Sequence, residues 1–122
     1  VSENGISGNY TFKENEFFYE GHFKNNPITP GVILTETMAQ IGVVCLGIYL
    51  LKDAISSEEK NTQIALTSNN IDFFLPVLPN EKVIVVSDKE YFRFNKLKCK
   101  VKMINSKNEL VCRGIISGML IV

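Results

Sequence analysis

Residues 20–40, EGHFKNNPITPGVILTETMAQ, hold the only histidine of the chain, His22, then the pair Pro30–Gly31, then Glu36 in what reads as an otherwise uncharged helix. A neutral imidazole, with an ordinary pKa of about 6.5, can take a weakly acidic proton near neutral pH. A carboxyl group in apolar surroundings keeps its own proton longer and can hand it to a leaving oxygen, or hold a water. A helix that opens on Pro-Gly leaves backbone N–H groups free to receive charge on a carbonyl oxygen. Base, acid and carbonyl polariser together suit acid–base chemistry next to a carbonyl. Singly, each residue has a plainer reading: a histidine among aromatics is usually structural, and an early helical glutamate serves the macrodipole. It is the combination, with 14 residues from His22 to Glu36 around Pro30–Gly31, that points to catalysis.

These groups need elements to position them. Thr29 is a candidate cap, Pro30 suits a first turn, and the pattern predicts a helix from Val32 to about Leu51. Gly31 then lies in the first turn, and Glu36 follows five residues later, about 7.5 Å along the axis. The helix is apolar almost all round, which predicts enclosure by other structure. Gly42 and Gly47 weaken it unless something packs closely against them. Its longest apolar run, Ile41–Leu51, has eleven residues, short of the roughly 20 a bilayer span requires. The polar stretch Ala54–Asn61 predicts a solvated loop.

Strands are expected at 6–13, 62–72, 81–92, 96–105 and 109–121. The clearest is 96–105, where Lys96, Lys98, Lys100 and Lys102 alternate with Leu97, Cys99, Val101 and Met103. That lysine row is either a solvated strand face or a surface for an acidic partner. Ser106–Lys107–Asn108 reads as a hairpin turn. One long helix followed by an antiparallel meander predicts an α+β fold, a sheet around a helix, in a single domain over 1–122.

Composition narrows the function classes. Thirteen basic residues balance thirteen acidic ones, so no global charge points to nucleic acid or an anionic membrane. Cys45, Cys99 and Cys112 are widely spaced, without a CxxC pair, and read as reduced residues of a cytoplasmic protein. With one histidine a metal site is not expected, nor is a signal peptide or membrane insertion.

The pattern FF-x-x-GHF-x-x-x-P-x-x-PGV-x-x-x-E-x-MAQ runs through Phe17–Phe18, Gly21–His22–Phe23, Pro27, Pro30–Gly31–Val32, Glu36 and Met38–Ala39–Gln40. It resembles the 3-hydroxyacyl-(acyl carrier protein) dehydratases of the FabZ type, and Pro76–Glu81 resembles that family's PV-x-PGD turn. The resemblance implies a hotdog fold, a curled antiparallel sheet around one long central helix, paired into homodimers, with a trimer of dimers allowed. It implies dehydration of (3R)-hydroxyacyl thioesters, carried on acyl carrier protein, to trans-2-enoyl thioesters, without a cofactor, in fatty-acid or specialised lipid biosynthesis. His22 is then the base, Glu36 of the partner subunit the acid or water holder, and the Gly31 N–H the carbonyl polariser. A main-chain carbonyl near Ile28 orients the imidazole, Gln40 lies one turn beyond the acid, and Phe12, Phe17, Phe18 and Phe23 are candidates for an acyl tunnel. The chain departs from the family at Lys24, where proline is common. It departs again at Asp72–Phe73–Phe74–Leu75, acidic then apolar where the family carries basic residues. In the turn, Asn80–Glu81 replaces Gly-Asp, a change Asn tolerates in a left-handed conformation. Two alternatives stay open: a hotdog acyl-thioesterase, activating water toward the carbonyl, and a non-catalytic acyl-thioester binding module.

Overall fold

The strict alternation over the lysine row has the structural consequence its period dictates. In the computed structural model, which describes residues 2, 4–13, 29–50 and 63–121, Leu97, Cys99, Val101 and Met103 are all buried in a strand at the sheet's centre. Five strands make up that sheet: β1 (Gly5–Thr11), β2 (Gln63–Phe73), β3 (Lys82–Arg93), β4 (Lys96–Ile104) and β5 (Leu110–Ile121). Their order is β1-β3-β4-β5-β2, with every neighbouring pair antiparallel. This leaves β1 and β2 as edges. The expected strand positions agree with these to within two residues, and the expected loop Ala54–Asn61 lies outside the described residues.

The turns follow from residues that tolerate positive φ. β3 and β4 join through Phe94–Asn95, both left-handed at φ 51° and 62°, the signature of a two-residue primed turn. Asn80 sits at φ 66°, as expected for the residue replacing glycine there. Between β4 and β5 the buried Asn105 side-chain oxygen accepts from the amides of Lys107 (3.0 Å) and Glu109 (2.9 Å), and Asn108 takes the left-handed position.

The helix runs from Gly31 to Leu50 in three segments: α-helical Gly31–Ala39, π-helical Gln40–Cys45 and α-helical Leu46–Leu50. Its cap position holds Pro30, with no side-chain capping bond. Thr29 therefore does not take the expected cap position; it is buried and its amide donates to the Val77 carbonyl at 2.8 Å. Leu34, Met38, Gly42 and Leu46, four residues apart, all face the sheet. At 3.6 residues per turn such a stripe drifts by about 40° per step. The wider π segment, closing i→i+5 bonds, offsets that drift and keeps the stripe on the sheet.

The opposite side is not enclosed. Val32 is 78% exposed and Ile48 52%, with Glu36 and Gln40 exposed between them. The near-uniform apolarity of the segment concealed this two-sidedness. By length and composition these 20 residues also meet the requirement for a membrane span, a test that a core helix passes equally. Here one side packs on the sheet, as in a core helix.

Close approach explains the glycines, as expected. A Cβ on Gly42 would lie 3.1 Å from both Ser87 Cβ and a Val101 methyl, and one on Gly47 would run into Ile64. Ser87, buried on β3, donates its hydroxyl to the Gly42 carbonyl at 2.8 Å, tying the π segment to the sheet.

Candidate functional site

At the start of the helix the hydrogen-bond ladder leaves donors unused. The amides of Ile33 and Leu34 both bond to the Pro30 carbonyl, at 3.0 and 3.2 Å. Those of Gly31 and Val32 have no acceptor among the described residues. Two free N–H groups, with the positive end of the helix dipole behind them, present a donor pair to an incoming carbonyl oxygen.

The space over Gly31 is not open on every side. β2 alternates, turning Ile71 and Phe73 toward the helix, and the Phe73 ring covers Gly31: a Cβ there would lie 3.3–3.7 Å from three ring carbons. The next residues hold the ring in place. The Phe74 and Leu75 amides donate to the Val111 carbonyl at 2.8 and 3.2 Å, and the Arg113 guanidinium lies 5.7 Å from the Phe74 ring centre. Sequence reasoning noted this run for its lost positive charge and missed Phe73 as a site residue. The pairing of residues 31 and 73 is a tertiary contact that no local pattern announces.

Glu36 lies on the side of the helix turned away from the sheet. Its carboxylate is exposed and accepts from Gln40 Nε2 at 3.0 Å, an i,i+4 contact on one helical face. The expectation of a carboxyl group in apolar surroundings is thus not met within one chain. Five residues turn a helix by about 140°, so Gly31, against Phe73, and Glu36, facing outward, point to different sides. A single chain does not bring its own Gly31 amide and Glu36 carboxylate to one point. His22, Phe23 and Ile28, with Phe17 and Phe18, lie outside the described residues.

The remaining candidates sort themselves by burial. Phe12 is in the core, edge-on to Tyr10 with ring centres 4.9 Å apart. The lysine row faces away from the helix, where Lys98 and Lys100 share Glu90 at 3.7 and 3.5 Å. A depression of about 480 Å³ on that face places Lys100, Lys102 and Arg113 beside Asp72 and Asp88. Its charges are mixed in sign, and it lies on the opposite side of the sheet from the helix. Of the thiols, Cys45 is exposed, whereas Cys112 is buried and donates to Met38 Sδ at 3.7 Å. Burial pushes the Cys112 thiol up to about 11 and raises Cys99 as well. Neither is poised as a nucleophile.

The FabA-like domain family matches residues 2–115. A protein named 3-hydroxyacyl-(acyl-carrier-protein) dehydratase FabZ from Ehrlichia canis is 31% identical over 114 residues, 92% of this chain and 72% of that one. Its namesake from the Wolbachia of Brugia malayi is 38% identical over 80 residues, 66% of this chain, and the alignment spans about half of that relative, 51%. Among solved structures, a thioesterase superfamily member from Thermus thermophilus superposes with a TM-score of 0.71 at 14% identity, covering 99% of this chain and 84% of that one. A thioesterase from Haemophilus influenzae gives 0.69 at 15% identity, covering 99% and 74%. At such identities the likeness is one of fold: the antiparallel sheet curled about a single helix is the hotdog architecture.

Proposed function

The chain belongs to the FabA-like domain family, and from that premise we propose that it dehydrates (3R)-hydroxyacyl thioesters to trans-2-enoyl thioesters. The reading is carried by one observation: at the helix start the amides of Gly31 and Val32 have no acceptor among the described residues, with the Glu36–Gln40 pair displayed on the helix's outward side. The names of the relatives favour acyl carrier protein as the thioester's bearer.

The chemistry distributes as follows. The thioester oxygen accepts from the Gly31 N–H, which stabilises the charge that develops as C2 loses its proton. His22 takes that proton, held in the right tautomer by the Ile28 carbonyl. Glu36 gives a proton to the C3 hydroxyl, which leaves as water while the C2–C3 double bond forms. The proton on His22 then returns to Glu36, and the site is reset. Gln40 orients the Glu36 carboxyl through its amide, and Phe23 lines the acyl path.

Because Glu36 faces away from its own Gly31, the acid comes from a second copy of the chain. We therefore place the site at the interface of a homodimer. On this reading the enzyme acts in the cytoplasm without membrane insertion or a cofactor, residues 1–122 forming one domain of it. Assembly into a trimer of dimers is compatible with this arrangement.

The test is a spectrophotometric assay with 3-hydroxyacyl and trans-2-enoyl thioesters, wild type beside His22→Ala. Reversible interconversion that falls at least 100-fold in the variant is the expected result. Release of free thiol without interconversion would establish a thioesterase instead. Neither activity, on both carrier-protein and coenzyme A substrates, would leave an acyl-thioester binding module.

A further inference from the structure

We propose that Phe73 is the residue that restricts the substrate at C2, admitting acyl thioesters with an unbranched methylene there and excluding those with a 2-methyl group. The inference rests on the dehydratase reading for the position of the substrate, and on the packing of the ring for the restriction itself.

A carbonyl oxygen bound to the Gly31 amide sits about 2.9 Å from that nitrogen. The amides of a first helical turn point toward the helix N-terminus, and the Cα–Cβ direction tilts the same way. The volume a side chain would occupy at Gly31 therefore borders the volume the thioester must enter. Phe73 walls that volume: its ring carbons lie 3.3–3.7 Å from where the Cβ would be, in close contact with it. C2 is bonded to the carbonyl carbon, so it is brought beside the ring edge. Two hydrogens fit there. A methyl group on the ring side meets aromatic carbon.

The backbone that carries the ring is held on the sheet. It ends β2, the two following amides share the Val111 carbonyl, and Phe74 faces the opposite way beside Arg113. Yet Phe73 is 49% exposed, so it forms a wall of the approach rather than part of the sealed core. Substitution there changes the shape of the entrance without opening a core cavity.

The test compares two quantities in wild type, Phe73→Leu and Phe73→Ala, with thermal unfolding as a check that each variant is folded. The first is kcat/KM for a 3-hydroxyacyl thioester and its 2-methyl counterpart. The second is the Kd, by calorimetry, for saturated ketone analogues that lack the 3-hydroxyl and carry CH2 in place of the thioester sulfur, inert to both dehydration and thioester cleavage, again with and without the 2-methyl group. Wild type is expected to favour the unbranched member by roughly 10–200-fold in both, the range one methyl group commands in a tight pocket. Phe73→Ala should reduce both ratios to within about threefold, and Phe73→Leu should fall between. Equal handling of both compounds by wild type would overturn the proposal, as would a preference that survives Phe73→Ala. If wild type turns over neither substrate but the Kd ratio behaves as described, the dehydratase reading fails and the wall at Phe73 stands.

Discussion

The side of the helix turned to the sheet carries Leu34, Met38, Gly42, Val43, Leu46 and Gly47, whereas the side turned away carries Val32, Glu36, Gln40 and Ile48. On the first, every residue is accounted for by what it touches. Met38 meets Cys112, Gly42 meets Ser87 and Val101, and Gly47 meets Ile64. On the second, apolar side chains stand in solvent beside a carboxylate and an amide that, among the described residues, bond each other. Packing dictates the inner side, and the fold alone gives no reason for the outer one. A surface that costs solvation and contributes nothing to its own chain's core is where association and chemistry are expected.

Glu36→Gln separates the two sides most sharply. The side chain is exposed and the new amide oxygen can still accept from Gln40, so stability should change by less than about 0.5 kcal/mol. Activity should fall by roughly 100- to 10,000-fold, the scale of a lost general acid. Mixed with His22→Ala under conditions of subunit exchange, the variant should regain part of the activity, since one composite site in the hybrid then holds both wild-type groups. Full activity in Glu36→Gln alone would remove the carboxyl from the mechanism, and demonstrated exchange without recovery would end the shared-site account.

The inner side makes the opposite kind of prediction, one about stability and pH. Buried against Met38, Cys112 keeps its proton up to about pH 11, whereas in the unfolded chain it loses it near 9.0. Between those values the unfolded state binds fewer protons than the folded one, so stability falls as pH rises. The contribution is fully present below about pH 9, and its loss as pH rises through about 11 amounts to at most about 2–3 kcal/mol. Urea unfolding of wild type and Cys112→Ala across this window should show the steeper decline in wild type. Parallel curves would mean that the thiol is not desolvated as its packing implies.

How far these sides were legible beforehand depends on the range of the interaction that sets each feature. β4 was readable because alternation is a local property, and the helix because Pro30–Gly31 and a long apolar run are local too. The chemistry of His22, Gly31 and Glu36 could be named from residue type and spacing. The outward orientation of Glu36 could not, because a segment apolar almost all round gives no phase, and the π turn that sets the phase packs on the sheet through long-range contacts such as those to Ser87 and Val101. Phe73 over Gly31 was invisible for the same reason: strand β2 brings it there from 42 positions away. The register shifts between Leu66 and Ser68 and between Lys89 and Tyr91 likewise have no turn residue to announce them.

The smallest expected effect tests that phase-setting contact directly. Gly42→Ala and Gly47→Ala are the same chemical change in one helix, each gaining roughly 1 kcal/mol of helix propensity. They differ in what the new methyl meets. At Gly42 it presses on Ser87 Cβ, beside the backbone, and on both methyls of Val101, whose branched side chain has little rotameric freedom. Overpacking of that kind costs about 1–3 kcal/mol, so the net effect is a loss of up to about 2 kcal/mol. At Gly47 the new methyl's closest neighbour is the terminal Cδ1 of Ile64, on edge strand β2, which can swing aside. There the net change should lie near zero or be slightly favourable. Urea unfolding of the two variants should therefore rank Gly42→Ala below Gly47→Ala. If the ranking reverses, the helix is not clamped to the sheet at its π segment, and the outward display of Glu36 and Gln40 needs another cause.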